Sequence, residues 1–368
     1  MKVSLGDFKT ALTKVASAGH NQCVQITFEA NKLCLSMVTT TISIFAVVDA
    51  KCDDAPFDIM VDYGMLSGTI NRLSGNYIAL EKNNNVLLIS TEPGDNYAMM
   101  RLPVIQAKNK PDSKVGEEYV SKINVDYMQE YTKACVHAAA TATRNDARME
   151  SFYIEDAGNN KLRITALDGY RVSIRDSLNG ATPNTSVMVS AANMNNVATM
   201  IGGPIKIAIP KNGRFVRITG NNTVVVMPTV DGSYYNVDQL LNRPGNNPIT
   251  IKVNRERLMK AIDIVALVNP KIALNIGNGK ISLFANNVSG EAKCDVPYMG
   301  DKDVSMEIGF NAKYLADALK NIGADNVEMS FTGAINPCVI TSSTVLKKNG
   351  NEVVVAEKEV VLPVRIKG

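Results

Sequence analysis

The chain repeats itself. A short apolar strand running into an amphipathic helix occurs at Val3-Ser4-Leu5, Ile123-Asn124-Val125 and Ile251-Lys252-Val253, at spacings of 120 and 128 residues. Each strand is followed by a side-chain acceptor suited to the free amides of a first helical turn: Asp7 before FKTALTKVASA, Asp126 before YMQEYTKACVHAAA, and Asn254 before RERLMKAIDIVALV. A second strand-helix unit recurs as Ile59-Met60-Val61 with Asp62, Val187-Met188-Val189 with Ser190, and Met306-Glu307-Ile308 with Asn311. These later helices are expected to end at Gly75, Gly202 and Gly323, where positive φ closes the last turn.

Between and after the helices lie alternating or apolar runs rich in Val, Ile and Thr, such as residues 32–50, 161–176 and 280–299, which read as antiparallel strands. The repeat therefore predicts an α+β fold of three similar domains, at 1–120, 121–247 and 248–368, each with two helices packed on antiparallel sheet. Polar, Pro-containing stretches at 107–116 and 243–248 fall where linkers are needed. Tyr97 to Leu102 and Val353 to Val355 read as potential sheet edges, which proteins normally pair, cover or charge.

With 45% hydrophobic and 20% charged residues among 368, the composition is globular and excludes a disordered or fibrous architecture. No apolar run approaches the roughly 18 residues of a membrane span, and Asp7 and Lys9 interrupt the start, so a cytoplasmic protein without membrane contact is expected. Six cysteines without a C-x-x-C pair suggest neither zinc nor a disulfide framework. A net charge of +3 permits contact with a polyanion without requiring it.

Enzyme signatures are missing: there is no phosphate loop, no H-E-x-x-H and no G-x-S-x-G. Cys135 and His137, two apart on one helix, point in different directions and cannot act as nucleophile and base. His137 is expected on a solvated face with Glu130 and Lys133. We therefore expect no catalytic residue, no metal and no cofactor. The wet sides of the helices carry a thin scatter of cations, and the recurrence of this arrangement raises the alternative that they line one common surface. Leu167 to Val172 can be a plain Asp-Gly turn between strands. The apolar end, Val360 to Ile366, is either a core strand or one wall of a groove for another protein.

Four segments together carry a resemblance: Ile164 to Val172, similar to A-T-D-G-[HY]-R-L; Gly232 to Leu241, similar to G-x-[YF]-P-D-Y-x-x-[VL]-[LI]; Phe310 to Leu315, similar to F-N-x-x-Y-L; and Val361 to Arg365, similar to V-[ML]-P-[ML]-R. In this order and with the threefold repeat, the chain resembles the bacterial DNA sliding clamps, the beta subunits of DNA polymerase III. The resemblance implies a head-to-tail homodimer closed into a ring around double-stranded DNA, held without sequence preference, as a non-catalytic processivity factor in DNA replication. It places Tyr97 and Met99 at the subunit contact. It makes Lys9, Lys14, Arg72, Lys133, Arg257, Lys260, Lys313 and Lys320 candidates for the DNA channel, where a few loose cations would give weak, salt-sensitive contact.

The resemblance also implies an apolar groove that receives short peptides from a DNA polymerase III alpha-type polymerase, the clamp loader and other clamp-binding proteins. The matching positions are Met149, Leu167, Gly169, Tyr170, Arg171, Val172, Leu240, Ile335, Val360, Val361, Leu362, Pro363, Val364 and Arg365. Burying two or three peptide side chains at about 2 kcal/mol each, less the cost of association, implies micromolar-scale, exchangeable binding. The chain departs from the family pattern at Tyr235-Asn236-Val237, where Pro-Asp-Tyr is usual, at Gln239, where a basic residue is common, and at Leu167, where Thr is usual. The rival reading is an enzyme or small-molecule binder built on the same repeat, which turnover by the purified protein would reveal.

Overall fold

A computed structural model describes residues 1–19, 23–51, 55–93, 97–105, 119–141, 146–159, 161–177, 185–210, 213–241, 248–348 and 350–366. The first copy runs β1 (Lys2–Ser4), α1 (Leu5–Ala16), β2 (Cys23–Glu29), β3 (Lys32–Val38), β4 (Ser43–Lys51), β5 (Phe57–Asp62), α2 (Tyr63–Arg72), β6 (Tyr77–Asn83), β7 (Val86–Thr91) and β8 (Met99–Pro103). The second runs β9 (Tyr119–Val125), α3 (Met128–Cys135), β10 (Ser151–Asp156), β11 (Leu162–Leu167), β12 (Arg171–Ser177), β13 (Ser186–Ser190), α4 (Ala191–Ile201), β14 (Ile205–Pro210), β15 (Phe215–Gly220) and β16 (Thr223–Pro228), followed by a short α5 (Val237–Leu241). The third repeats the order as β17 (Ile249–Asn254), α6 (Arg255–Ala266), β18 (Lys271–Gly277), β19 (Lys280–Asn287), β20 (Gly290–Gly300), β21 (Ser305–Asn311), α7 (Ala312–Lys320), β22 (Asn326–Phe331), β23 (Cys338–Lys348) and β24 (Asn351–Val361). The expected linkers at 107–116 and 243–247 lie outside the described residues.

The expected caps form on three helices. Asp62 accepts from the Met65 amide at 2.7 Å, Asn254 from Arg257 at 3.0 Å and Asn311 from Lys313 at 3.0 Å. At α1 the cap is Ser4, whose Oγ accepts from the Asp7 amide; the helix starts earlier than expected and Asp7 falls in its first turn. Gly202 does follow α4 at φ 66°, returning its amide to Ala198. Gly323 serves differently: a Cβ there would lie 2.8 Å from Thr344 Oγ1, so its role is close approach to β23.

Contacts divide the chain into two compact units, Met1–Met128 with Asn196–Thr229, and Gln129–Asn195 with Val230–Gly368. In the first unit, antiparallel pairing follows β8-β7-β6-β1-β4-β16-β15-β14-β9, with β3, β2 and β5 continuing from β4. Phe8, Leu12 and Val15, at helical spacing on α1, are buried there. The second unit follows β13-β10-β11-β12-β24-β23-β22-β17-β20-β19-β18-β21. Its largest core packs Leu258, Ile262 and Val265 of α6 and Leu315 and Leu319 of α7 on Leu274, Leu283, Phe310 and Phe331, each worth about 1.5–3 kcal/mol of burial. Val353 to Val355 is no free edge: it lies within β24, paired to β23.

Two pairings join strands of different copies. β4 meets β16 from Ala46↔Thr223 to Ser43↔Val226, and β12 meets β24 from Arg171↔Val361 to Ser177↔Val355. The second of these brings the Asp-Gly turn beside the chain's apolar end.

Candidate functional site

The turn between β11 and β12 is fixed by its own aspartate. Asp168 accepts from the amides of Tyr170 and Arg171 at 2.9 and 3.1 Å, and Gly169 takes φ 84°, a conformation that a side chain would strain. The Arg171 guanidinium bonds Asp168 at 3.0 Å and Asp317 of α7 at 2.7 Å, and lies 4.6 Å from the Tyr314 ring centroid. Tyr170 stacks on Tyr314 with centroids 5.9 Å apart, leaving its own ring 46% exposed. Tyr314 thus belongs to the turn's surroundings; its place in the F-N-x-x-Y-L segment was the available signal.

The apolar end docks beside this turn. Leu362 donates its amide to the Tyr170 carbonyl at 2.9 Å, and Val364 to Gly309 at 2.8 Å. Leu167, Val172, Ile174 and Val360 form a buried apolar cluster against which Met149, Tyr234, Tyr235, Val237 and Leu241 pack. Further along the terminal segment a cavity of about 460 Å³ is lined by Gly309, Ile335, Pro363, Val364, Arg365 and Ile366, among others. Ile335 is 87% exposed at its rim. Most of the fourteen expected groove positions are therefore gathered in one region of the second unit. Val361 is the exception: side chains alternate along a strand, so with Val360 in the groove cluster Val361 turns into the third-copy core, fully buried. The side chain of Leu240 lies outside the described residues.

The departure at Tyr235 has a structural counterpart. Its hydroxyl donates to Asp146 at 2.5 Å, Arg148 bonds both oxygens of the same carboxylate, and the Arg148 guanidinium lies 4.6 Å from the Tyr235 ring centroid. The bonds from Arg148 and Tyr235 hold the Asp146 carboxyl well below the usual carboxylate range. This clasp fastens the segment before α5 beside Met149.

Behind the cluster, β12 turns Ser173 and Arg175 the other way. Arg175 bonds Glu359 at 2.8 Å and the Asn321 carbonyl at the end of α7 at 2.7 Å, while Ser173 donates to Glu359 at 2.7 Å. His137 is found here instead of on a solvated face. The chain leaves α3 at Cys135 through a single 3-10 turn, which brings Nδ1 3.0 Å from the Ala134 carbonyl and Nε2 3.2 Å from Glu359.

The candidate channel cations differ in what they already touch. Lys133, Arg257 and Lys320 are exposed. Lys260 pairs with Glu256 and Lys313 with Asp317, both at 2.7 Å and both exposed; Arg72 bonds the Gly68 carbonyl, and half-buried Lys9 bonds the Leu73 carbonyl. Lys14 departs from the expected wet face. It is buried, with Nζ donating to the Asn221 carbonyl at 2.6 Å and to Thr223 at 3.0 Å, and burial pulls its ammonium below the usual value. Its aliphatic stem lies on the packed side of α1, which charge alone does not reveal.

Tyr97 and Met99 are 55% and 49% exposed, Met99 on β8, which ends the sheet path of the first unit. In the second unit, Ile264 and Leu267 at the end of α6 are 51% and 86% exposed, off the stripe of Leu258, Ile262 and Val265. These two were legible as apolar residues out of phase and were missed. Among the described residues no helix is long and apolar enough to cross a membrane.

The repeated element order, the two strand pairings between copies and the docked apolar end define the fold of the DNA clamps. Residues 242–355 match the family described as DNA polymerase III beta subunit, C-terminal domain. A beta sliding clamp of Staphylococcus epidermidis is 24% identical over 335 residues, covering 86% of each chain. Among solved structures, the DNA polymerase III beta subunit of Thermotoga maritima matches with a TM-score of 0.82 at 19% identity, over 100% of this chain and 99% of that one. The Pseudomonas aeruginosa sliding clamp bound to griselimycin matches with a TM-score of 0.84 at 19% identity, over 100% and 99%. The chain belongs to the DNA polymerase III beta-subunit family, the beta sliding clamps.

Proposed function

We propose that the chain works as a DNA sliding clamp: a non-catalytic processivity factor that encircles duplex DNA and tethers a replicative polymerase. The observation that carries the docking part of this reading is convergence. Segments about 200 residues apart in sequence meet where Leu362 bonds Tyr170 and Tyr170 stacks on Tyr314. They flank an apolar cluster and a cavity that offer two neighbouring places for apolar side chains of a short peptide.

Three domains, at 1–120, 121–247 and 248–368, supply the repeat, and two subunits close head to tail through the edge at Tyr97 and Met99. Ile264 and Leu267 are the apolar complement for that edge, and closure covers what would otherwise be an exposed strand. Retention is topological, so the DNA contacts of Lys9, Arg72, Lys133, Arg257, Lys260, Lys313 and Lys320 need only be weak and independent of sequence. The groove serves a DNA polymerase III alpha-type polymerase, the clamp loader and other proteins with short clamp-binding peptides in turn. Such a protein works in the cytoplasm.

The test is retention on DNA. Protein assembled on a nicked circular plasmid should co-elute with it through a sizing column in moderate salt and be lost when a single cut linearises the circle. Equal retention on both forms would contradict encirclement. For the groove, Leu362→Asp combined with Tyr170→Ala should abolish binding of a labelled peptide with adjacent Leu and Phe.

A further inference from the structure

The two proposed sites approach each other at one atom. Asp317 Oδ2 accepts from Arg171 Nη1 at 2.7 Å and from Lys313 Nζ at 2.7 Å. Arg171 belongs to the turn that flanks the groove and is largely buried; Lys313 is 71% exposed on the wet face of α7. The neighbouring residue of the same helix, Tyr314, carries the Tyr170 stack and the face against which Arg171 lies.

We infer that Asp317 is a positioning residue that couples the docking groove to the polyanion-facing side of α7; this rests on the reading of both sites given above. One carboxylate oxygen divides its attraction between two cations, and those cations repel each other. A phosphate that draws Lys313 away leaves Oδ2 to Arg171 alone. The guanidinium is then held more firmly against Asp168 and Tyr314, and Tyr170 with it, so the groove wall is ordered before a peptide arrives. Lys313 is the partner placed to leave. Its pair with Asp317 is an exposed i,i+4 pair with the cation on the N-terminal side, the less favourable direction along a helix, whereas Arg171 is held by Asp168 as well. By linkage, a bound peptide should strengthen the hold on DNA by the same factor.

The experiment measures the anisotropy of a fluorescent peptide with adjacent Leu and Phe, titrated with full-length protein with and without excess double-stranded DNA. The wild type is expected to bind the peptide about two- to tenfold more tightly with DNA present. Lys313→Met should bind the peptide but show no DNA-dependent increment, and Asp317→Asn likewise. Lys320→Met, which removes an exposed cation of the same helix that makes no ion pair among the described residues, should keep the increment. An increment undiminished in Lys313→Met, or none in the wild type, overturns the coupling while leaving the groove intact. Failure of the wild type to bind the peptide under any condition overturns the groove reading and the coupling with it.

Discussion

Arg175 on β12 and Glu359 on β24 meet at 2.8 Å with their side chains 2% and 1% exposed. The same two strands turn Val172, Ile174 and Val360 to their opposite faces, where these residues form the groove cluster. A buried ion pair therefore backs the apolar wall and fixes the register between the second and third copies. Removing one partner leaves a charge in the interior, so Glu359→Ala or Arg175→Ala should lower stability by about 3–5 kcal/mol in chemical denaturation. The double replacement Arg175→Met with Glu359→Leu should cost far less, because no unpaired charge is left.

Asp317 gives the groove turn a defined pH dependence. Burial pushes its carboxyl up, but the bonds from Lys313 and Arg171 outweigh this and hold it below the usual carboxylate range. A carboxyl depressed in the folded state stabilises above its unfolded value, near 4, and loses that contribution as pH falls through the folded value. The stability difference between wild type and Asp317→Asn should accordingly be steady above about pH 5 and shrink below about pH 4. Denaturant titrations across that range check it.

Two thiols should be silent in the folded protein. Burial pushes Cys135 up to about 11, and burial raises Cys338 as well; both are fully buried. Since the thiolate is the reactive form, neither should be alkylated at pH 8 until the chain unfolds. Peptide mapping by mass spectrometry after a brief exposure to iodoacetamide reads this directly.

Gly309 lets the terminal segment lie close against β21. A Cβ at this position would stand 2.6 Å from the Val364 carbonyl oxygen and press on Ile366, which no rotamer of the added group relieves. Gly309→Ala should lower stability by about 1–3 kcal/mol and loosen Pro363 to Ile366, weakening peptide binding at the adjoining cavity. Hydrogen exchange at Val364, whose amide bonds Gly309, reports the displacement.

Local chemistry was the legible part of this fold. Asp62, Asn254 and Asn311 announced their helices because a cap acts within three residues of itself. Asp168 and Gly169 announced their turn for the same reason. What stayed hidden depends on partners distant in sequence. The pairing of β12 with β24 decides which of Val360 and Val361 faces the groove, and no local pattern in a wholly apolar run fixes that register. Lys14 and His137 read as solvent-facing because their sequence neighbours are polar; the partners that draw them inward, Asn221 and Glu359, lie more than 200 residues away. Tyr235 was visible as a departure from the family pattern, but its clasp on Asp146 needed the fold to bring the two together.

The central claim is a closed two-subunit ring, and its most direct test is molar mass by light scattering behind a sizing column, from micromolar protein down to nanomolar. The account predicts a mass near twice 39.8 kDa that persists on dilution and falls to that of one chain when Leu267 and Ile264 are both changed to Asp. A mass of 39.8 kDa at every concentration would contradict a ring that closes on its own.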